Sequence, residues 1–209
     1  MTKIIVMENQ PLFNILGTKR LLLGSASPRR RELVEGLGTG CVLLDPIEVD
    51  ESFPAKMNPE DVPVYISQKK AHPYQAMLGN DDILLTADTV VINCGEVVGK
   101  PADRREALAM LRRIPGRTHT VVTGVTLTTS RRQFSFSEKT EVEFAELMPD
   151  EIEYYVDNFH PFDKAGAYGI QEWIGQIGIK EIRGDFYNVM GLPLRALYEH
   201  LRRMGVKHY

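Results

Sequence analysis

The chain has 209 residues, 43% hydrophobic and 25% charged, enough to bury a core and unlike disordered or low-complexity sequences. A formal net charge of −3 with no long Lys/Arg run lacks the electrostatic footprint of a duplex nucleic-acid binder, so nucleic acid is not expected as a partner. The two cysteines, Cys41 and Cys94, form no Cys-x-x-Cys motif and the five histidines are scattered, so any metal is expected on oxygen ligands.

Residues 1–20 read as an N-terminal extension, and residues 21–209 as one domain. The longest early apolar run, Ile4-Ile5-Val6-Met7, is too short for a signal-peptide core or a membrane span. A cytoplasmic protein with no membrane partner is therefore expected. The apolar run at 21–24 predicts a buried strand, and Ser25-Ala26-Ser27-Pro28-Arg29-Arg30-Arg31 follows at once. Ser27 suits an N-cap and Pro28 the first helical position, with Leu33, Val34 and Leu37 on the apolar side of a helix ending near 36–38. Residues 41–44 predict a second strand, followed by an acidic loop with Asp45, Glu48, Asp50 and Glu51. The middle of 59–78 reads as helix and carries Lys69 and Lys70.

The strand predicted at 83–92 turns at 93–96 into a returning arm at 97–100, a hairpin with Asp88 in its middle. Asp103 and Glu106 resemble a capping box opening a helix that stops before Pro115-Gly116. Strands are predicted at 119–128 and 133–147, a short helix at 149–158, a glycine-rich connection at 163–175, a strand at 176–183 and a final helix at 192–203. Helices mixed with hairpins predict the α/β class, with a mixed sheet and flanking helices.

The turn at 25–30 joins two hydroxyls and a group of guanidinium side chains to a helix N-terminus, whose free N–H groups and dipole favour anions. It suits a phosphate cradle, although a capped helix with a solvated basic turn has the same pattern. Asp88, in an apolar strand, needs a partner if it is buried and ionised. A metal ion, a water that it deprotonates, or a lysine would each serve, and Lys100 on the returning arm is one such lysine. Asp50 and Glu51 suit a hard divalent cation or plain solvation, and Lys69 and Lys70 a phosphate or a solvated helix face. Gln171 ends a loop of small residues and offers one donor and one acceptor to a base edge.

Taken together, the stretches resemble the Maf family of nucleotide pyrophosphatases. The matching residues are Ser25 to Leu33, Ala87-Asp88-Thr89-Val90-Val91, Gly99-Lys100-Pro101, Gly116-Arg117-Thr118-His119, Asp163 to Gln171, and Tyr187-Asn188-Val189-Met190-Gly191-Leu192-Pro193-Leu194. The resemblance implies an elongated α/β fold similar to inosine-triphosphate pyrophosphatases, with two lobes around a cleft and, in many members, a homodimer. It also implies hydrolysis of a nucleoside triphosphate to the monophosphate and pyrophosphate with magnesium or manganese.

By the same resemblance, Asp88 is the proton acceptor, and Ser25, Arg29, Arg30, Lys70 and Lys100 hold phosphate. Glu51 and Asp88 are the metal-linked carboxylates, with the role of Asp88 open between base and ligand. Arg29, Thr89 and Gln171 match the dTTP/UTP branch, which implies those substrates, modified pyrimidine nucleotides among them, and a housecleaning role. A Trp in place of Arg29 would resemble the 7-methyl-GTP branch. Glu172-Trp173-Ile174-Gly175 stands where the family has a glycine-rich run, Gly24 replaces a usual Ala, and residues 1–20 have no counterpart. The rivals are a pyrophosphatase for 7-methyl-GTP or another base, and a non-catalytic nucleotide-binding regulator of septum formation.

Overall fold

The structure, a computed structural model, describes residues 15–205. Its sheet is built around the 12-residue strand β3 (Asp82–Asn93), buried along almost its whole length. Antiparallel β5 (Thr118–Thr128) covers one edge of β3 from Leu84 to Ile92. The other edge is shared: β1 (Arg20–Leu23) runs parallel along Asp82 to Leu85, and β4 (Glu96–Val98) folds back antiparallel on Val91 to Asn93. Residues 86–90 lie between these two neighbours, so Asp88 stands at the middle of a gap in the sheet. β2 (Val42–Leu43) adds parallel to β1, while β6 (Gln133–Phe144) and β7 (Ile179–Arg183) add antiparallel beyond β5. The resulting order β2-β1-β3-β5-β6-β7, with β4 beside β3, is the mixed sheet that the sequence predicts.

Side chains alternate across a strand, so one face of β3 carries Ile83, Leu85, Ala87, Thr89 and Val91. The first three join Val125 and Leu127 in a core with α1 (Pro28–Gly36) and the C-terminal helix α7 (Leu194–Gly205). Val91 and Val121 belong to a second core, with α3 (Arg104–Leu111) and α4 (Pro149–Phe159). Between the two cores the same face presents Thr89 and Thr123, whose hydroxyls lie 2.9 Å apart. Two apolar lobes thus meet at a polar seam beside the gap. On the opposite face, α2 (Val62–Ala71) packs Val62 and Ile66 against Val90, Ile92 and Val122.

Several boundaries differ from expectation for identifiable reasons. The helix within 59–78 ends at Ala71 and continues as a 3-10 segment, His72–Met77, because Pro73 has no N–H to continue the α-helical ladder. The strand expected at 176–183 is helical through Gly178, forming α5 (Trp173–Gly178) before β7. Ile174 and Gly178, four residues apart, are both buried there, a helical spacing that the short segment hides.

A five-residue helix, α6 (Phe186–Met190), was not predicted. The Asp185 carboxylate caps it by accepting from the Tyr187 amide at 2.8 Å, and Gly191 ends it in a left-handed conformation. Of the expected extension, residues 1–14 lie outside the described residues. Leu16, within the remainder, is buried in the core with Leu21, Leu197 and Leu201.

Candidate active site

The gap in the sheet opens into a cavity of about 550 Å3, lined by Ser25, Arg29, Arg30, Glu51, Lys70, Asp88, Thr89, Lys100 and Gln171 but not by Asp50 or Lys69. Ser25, Arg29 and Arg30 come from the β1–α1 turn, Glu51 from the acidic loop and Lys70 from the end of α2. Asp88 and Thr89 come from β3, Lys100 follows β4, and Gln171 precedes α5.

The β1–α1 turn is fixed by its own polar groups. Ser27 Oγ accepts from the Arg30 amide at 3.4 Å, and Ser25 Oγ accepts from the Ser27 amide at 3.3 Å. Arg30 is buried: its Nε donates to the Gly191 carbonyl at 2.8 Å and its Nη2 to Thr89 Oγ1 at 2.9 Å. Burial lowers its pKa, and the charge of Asp88 opposes that shift. Thr123 Oγ1 donates to the Asn188 carbonyl at 2.9 Å, which leaves Thr89 as donor in the bond between the two hydroxyls. The polar seam between the lobes is therefore the seat of Arg30. Arg29 instead pairs with Asp163, with Nη1 2.7 Å from Oδ2.

On the other face of β3, Lys70 Nζ lies 2.7 Å from Asp88 Oδ1 and 2.9 Å from Glu51 Oε1. Burial raises the Glu51 pKa, but the hydrogen bond and charge of Lys70, with the charges of Lys100 and Arg30, outweigh it and hold the carboxyl below its ordinary value. Asp88 is paired with Lys70 and not with Lys100. The side chain of Asp88 projects to the face covered by α2, whereas Lys100 lies exposed beyond β4. Lys69 points outward, donating to the Ser52 carbonyl at 3.0 Å and lying 3.3 Å from Asp50 Oδ2. The Asp50 carboxylate folds onto the Ser52 amide at 2.9 Å, so it is Glu51 that reaches the cavity.

Gln171 also lines the cavity, and its Oε1 is buried without a hydrogen-bond partner. An amide oxygen in that state is an acceptor awaiting a donor. Tyr74, to which the sequence assigns no role, holds the acidic loop over the cavity: its hydroxyl accepts from the Ile47 amide at 2.8 Å and donates to the Asp45 carbonyl at 2.9 Å. Asp163, Lys164 and Gly191 also line the cavity without having been given roles. The adjacent Asp163-Lys164 pair in a loop of small residues is the one sequence signal that could have marked two of them.

The arrangement gathers cationic side chains, two carboxylates sharing one cationic centre, and a buried, unpartnered amide oxygen around one cavity. The sequence profile of the family described as Maf-like protein matches residues 20–204. A dTTP/UTP pyrophosphatase of Bacteroides fragilis is 48% identical over 185 residues, 88% of this chain and 96% of that relative. The dTTP/UTP pyrophosphatase of Bacteroides thetaiotaomicron is 49% identical over 185 residues, with the same shares of each chain. Among solved structures, the nucleoside-triphosphatase, or dITP/XTP pyrophosphatase, of Mycobacterium abscessus is 17% identical, covering 88% of this chain and 96% of that one at a TM-score of 0.41. With its profile match and close relatives spanning almost the whole chain, the protein belongs to the Maf-like family.

Proposed function

We propose that the protein is a nucleoside triphosphate pyrophosphatase that hydrolyses dTTP and UTP to the monophosphate and pyrophosphate. The names of its close relatives support this reading. The observation that carries it is the unpartnered Gln171 Oε1, buried in the cavity that also gathers Arg29, Arg30, Lys70 and Lys100. Thymine and uracil carry an N3–H that an amide oxygen accepts, whereas cytosine presents an acceptor at N3 and leaves that oxygen unpaired.

In the proposed reaction, the arginines and lysines hold the phosphates while Asp88 takes a proton from a water that attacks the α phosphorus. The new bond joins the water oxygen to that phosphorus, and the bond to the bridging oxygen breaks so that pyrophosphate leaves. Lys70 orients the Asp88 carboxylate through Oδ1, leaving Oδ2 to face the water. The donor set suits a hard divalent ion, because magnesium commonly takes one or two carboxylates and completes its shell with phosphate and water oxygens. Glu51 and Asp88, whose oxygens converge on one ammonium, would hold it. Magnesium or manganese, when bound, would neutralise phosphate oxygens and polarise the α phosphorus. The cytoplasm, where nucleoside triphosphates are held, is its proposed setting, and no described helix is long and apolar enough to cross a membrane.

The test is pyrophosphate release from each common and modified nucleoside triphosphate, with magnesium and then with manganese. Release from dTTP and UTP above all others is expected. Release only from another base would keep the chemistry and overturn the role of Gln171, and no release from any would overturn the enzyme.

A further inference from the structure

A charged chain of contacts along the cavity wall links Arg29 to the residues around Gln171. From Arg29 it passes to Asp163 Oδ2 at 2.7 Å, and from Asp163 Oδ1 to Lys164 Nζ at 2.8 Å. Lys164, almost fully buried, lies 3.1 Å from Glu172 Oε1, and Glu172 Oε2 accepts from the Tyr155 hydroxyl. Tyr155 Oη in turn accepts from the Gly169 amide at 3.0 Å. Burial, then the hydrogen bond and charge of Glu172, push the Tyr155 phenol well above its usual range, which keeps it a donor.

Gln171 sits inside the turn that this chain secures. The Glu172 amide closes the turn onto the Gly169 carbonyl at 3.0 Å, and a Cβ on Gly169 would stand 2.7 Å from Glu172 Cδ. Both carboxylate oxygens of Glu172 are engaged, Oε1 with Lys164 and Oε2 with Tyr155, whose hydroxyl in turn holds the Gly169 amide.

We infer that Glu172 is a positioning residue for base selection: with Lys164 and Tyr155 it fixes the turn that presents Gln171, and through Asp163 it links that turn to Arg29. The inference rests on the proposed contact between Gln171 and the base. Its substrate effect differs from that of a residue that only supports the fold. Loss of mere support lowers the amount of active protein for all bases alike, whereas loss of positioning changes the preference among bases.

The experiment compares the parent, Glu172→Gln and Tyr155→Phe over all common nucleoside triphosphates. It measures kcat and KM for each, with calorimetric affinities and unfolding temperatures in parallel. Glu172→Gln keeps the shape and an acceptor for Tyr155 but removes the charge facing Lys164. Tyr155→Phe keeps the ring in its core and removes only the hydroxyl, so it serves where the first variant folds poorly. The preference of the parent for its best base over the worst-matched one, in kcat/KM or in affinity, is expected to fall by about tenfold. kcat on the best base should change by less than about twofold. Combining Glu172→Gln with Gln171→Ala should cost no more preference than Gln171→Ala alone. An unchanged profile of preference in both variants, whatever happens to the unfolding temperature, would overturn the inference. A parent that prefers a non-pyrimidine base overturns the proposed substrate and the role of Gln171, and this inference falls with them; a parent that prefers dTTP and UTP but whose variants keep its profile overturns this inference alone.

Discussion

Gly124 lies directly across the β3–β5 ladder from Asp88, at the point where α2 comes down onto the sheet. A Cβ at Gly124 would stand 2.2 Å from the Val64 amide nitrogen and 2.3 Å from the Pro63 carbonyl carbon, backbone atoms that no rotamer change can move. The helix that carries Lys70 is thus seated by the absence of a side chain opposite the carboxylate Lys70 serves. Gly124→Ala is expected to lift α2, destabilise the protein by about 1–3 kcal/mol and lower turnover along with it. Urea unfolding alongside pyrophosphate release checks this, and a variant matching the parent in both would show that α2 does not depend on the close approach.

Asp88→Asn keeps the size of the side chain and leaves Lys70 its contact with Glu51, so the variant should fold. It cannot take a proton from water as a carboxylate does. Turnover is expected to fall by roughly a hundredfold or more with KM changed little, since the loss falls on the transition state. Steady-state kinetics with a circular dichroism control decides, and near-normal turnover would remove Asp88 as proton acceptor.

Lys70 occupies with its ammonium the place between two carboxylate oxygens that a divalent cation would also favour. Replacing it by Met leaves Glu51 and Asp88 facing each other with like charge, a state that a bound cation relieves. Lys70→Met should therefore bind manganese at least about tenfold more tightly than the parent when no nucleotide is present, while turnover drops about a hundredfold. Electron paramagnetic resonance titration of manganese reads the first effect directly. Equal affinity in parent and variant would place the ion on other oxygens.

How much of this was legible in the sequence depends on the range of the interaction that fixes each feature. The start of α1 was readable because its signals, Ser27 and Pro28, are local, and β3 because its apolar run is long. Asp88 stood out as a carboxylate inside that run. Its partner did not: choosing Lys70 over Lys100 requires knowing which face of β3 α2 covers, and that is set by packing at Gly124 and not by spacing. The Arg29–Asp163 contact joins residues 134 apart, and nothing local marks either for the other. α6 was missed because five residues show too little periodicity to read.

Gln171→Ala removes the only buried, unpartnered side-chain acceptor among the described residues that line the cavity. A site built to accept from an N3–H rejects a base that lacks it chiefly because the acceptor is then left unpaired. Without the amide that penalty disappears, so preference for dTTP over dCTP is expected to fall by at least about tenfold. The fall should come from poorer use of dTTP together with better use of dCTP. Competition assays with both nucleotides present measure the ratio directly, and an unchanged ratio would move base selection to another group.

His119 gives the protein an acid-sensitive core. It is 3% exposed, and its Nε2 shares a 2.7 Å hydrogen bond with Tyr168 Oη, while Nδ1 has no partner. Burial lowers its pKa from the ordinary 6.5 to about 4, and the Tyr168 phenol, held above its usual range by burial, stays neutral over this interval. Between pH 4 and 6.5 the unfolded chain therefore binds a proton that the folded chain excludes, and stability rises with pH. The contribution is complete above about pH 6.5 and is lost as pH falls toward 4. At about 1.4 kcal/mol per pH unit, the gap corresponds to roughly 3 kcal/mol. His119→Gln should be less stable at neutral pH because it disturbs the bond to Tyr168, yet lose less stability on acidification. Urea midpoints at several pH values between 4.5 and 7.5 separate the two effects. Parallel stability curves for parent and variant across that range would show that the acid sensitivity arises elsewhere.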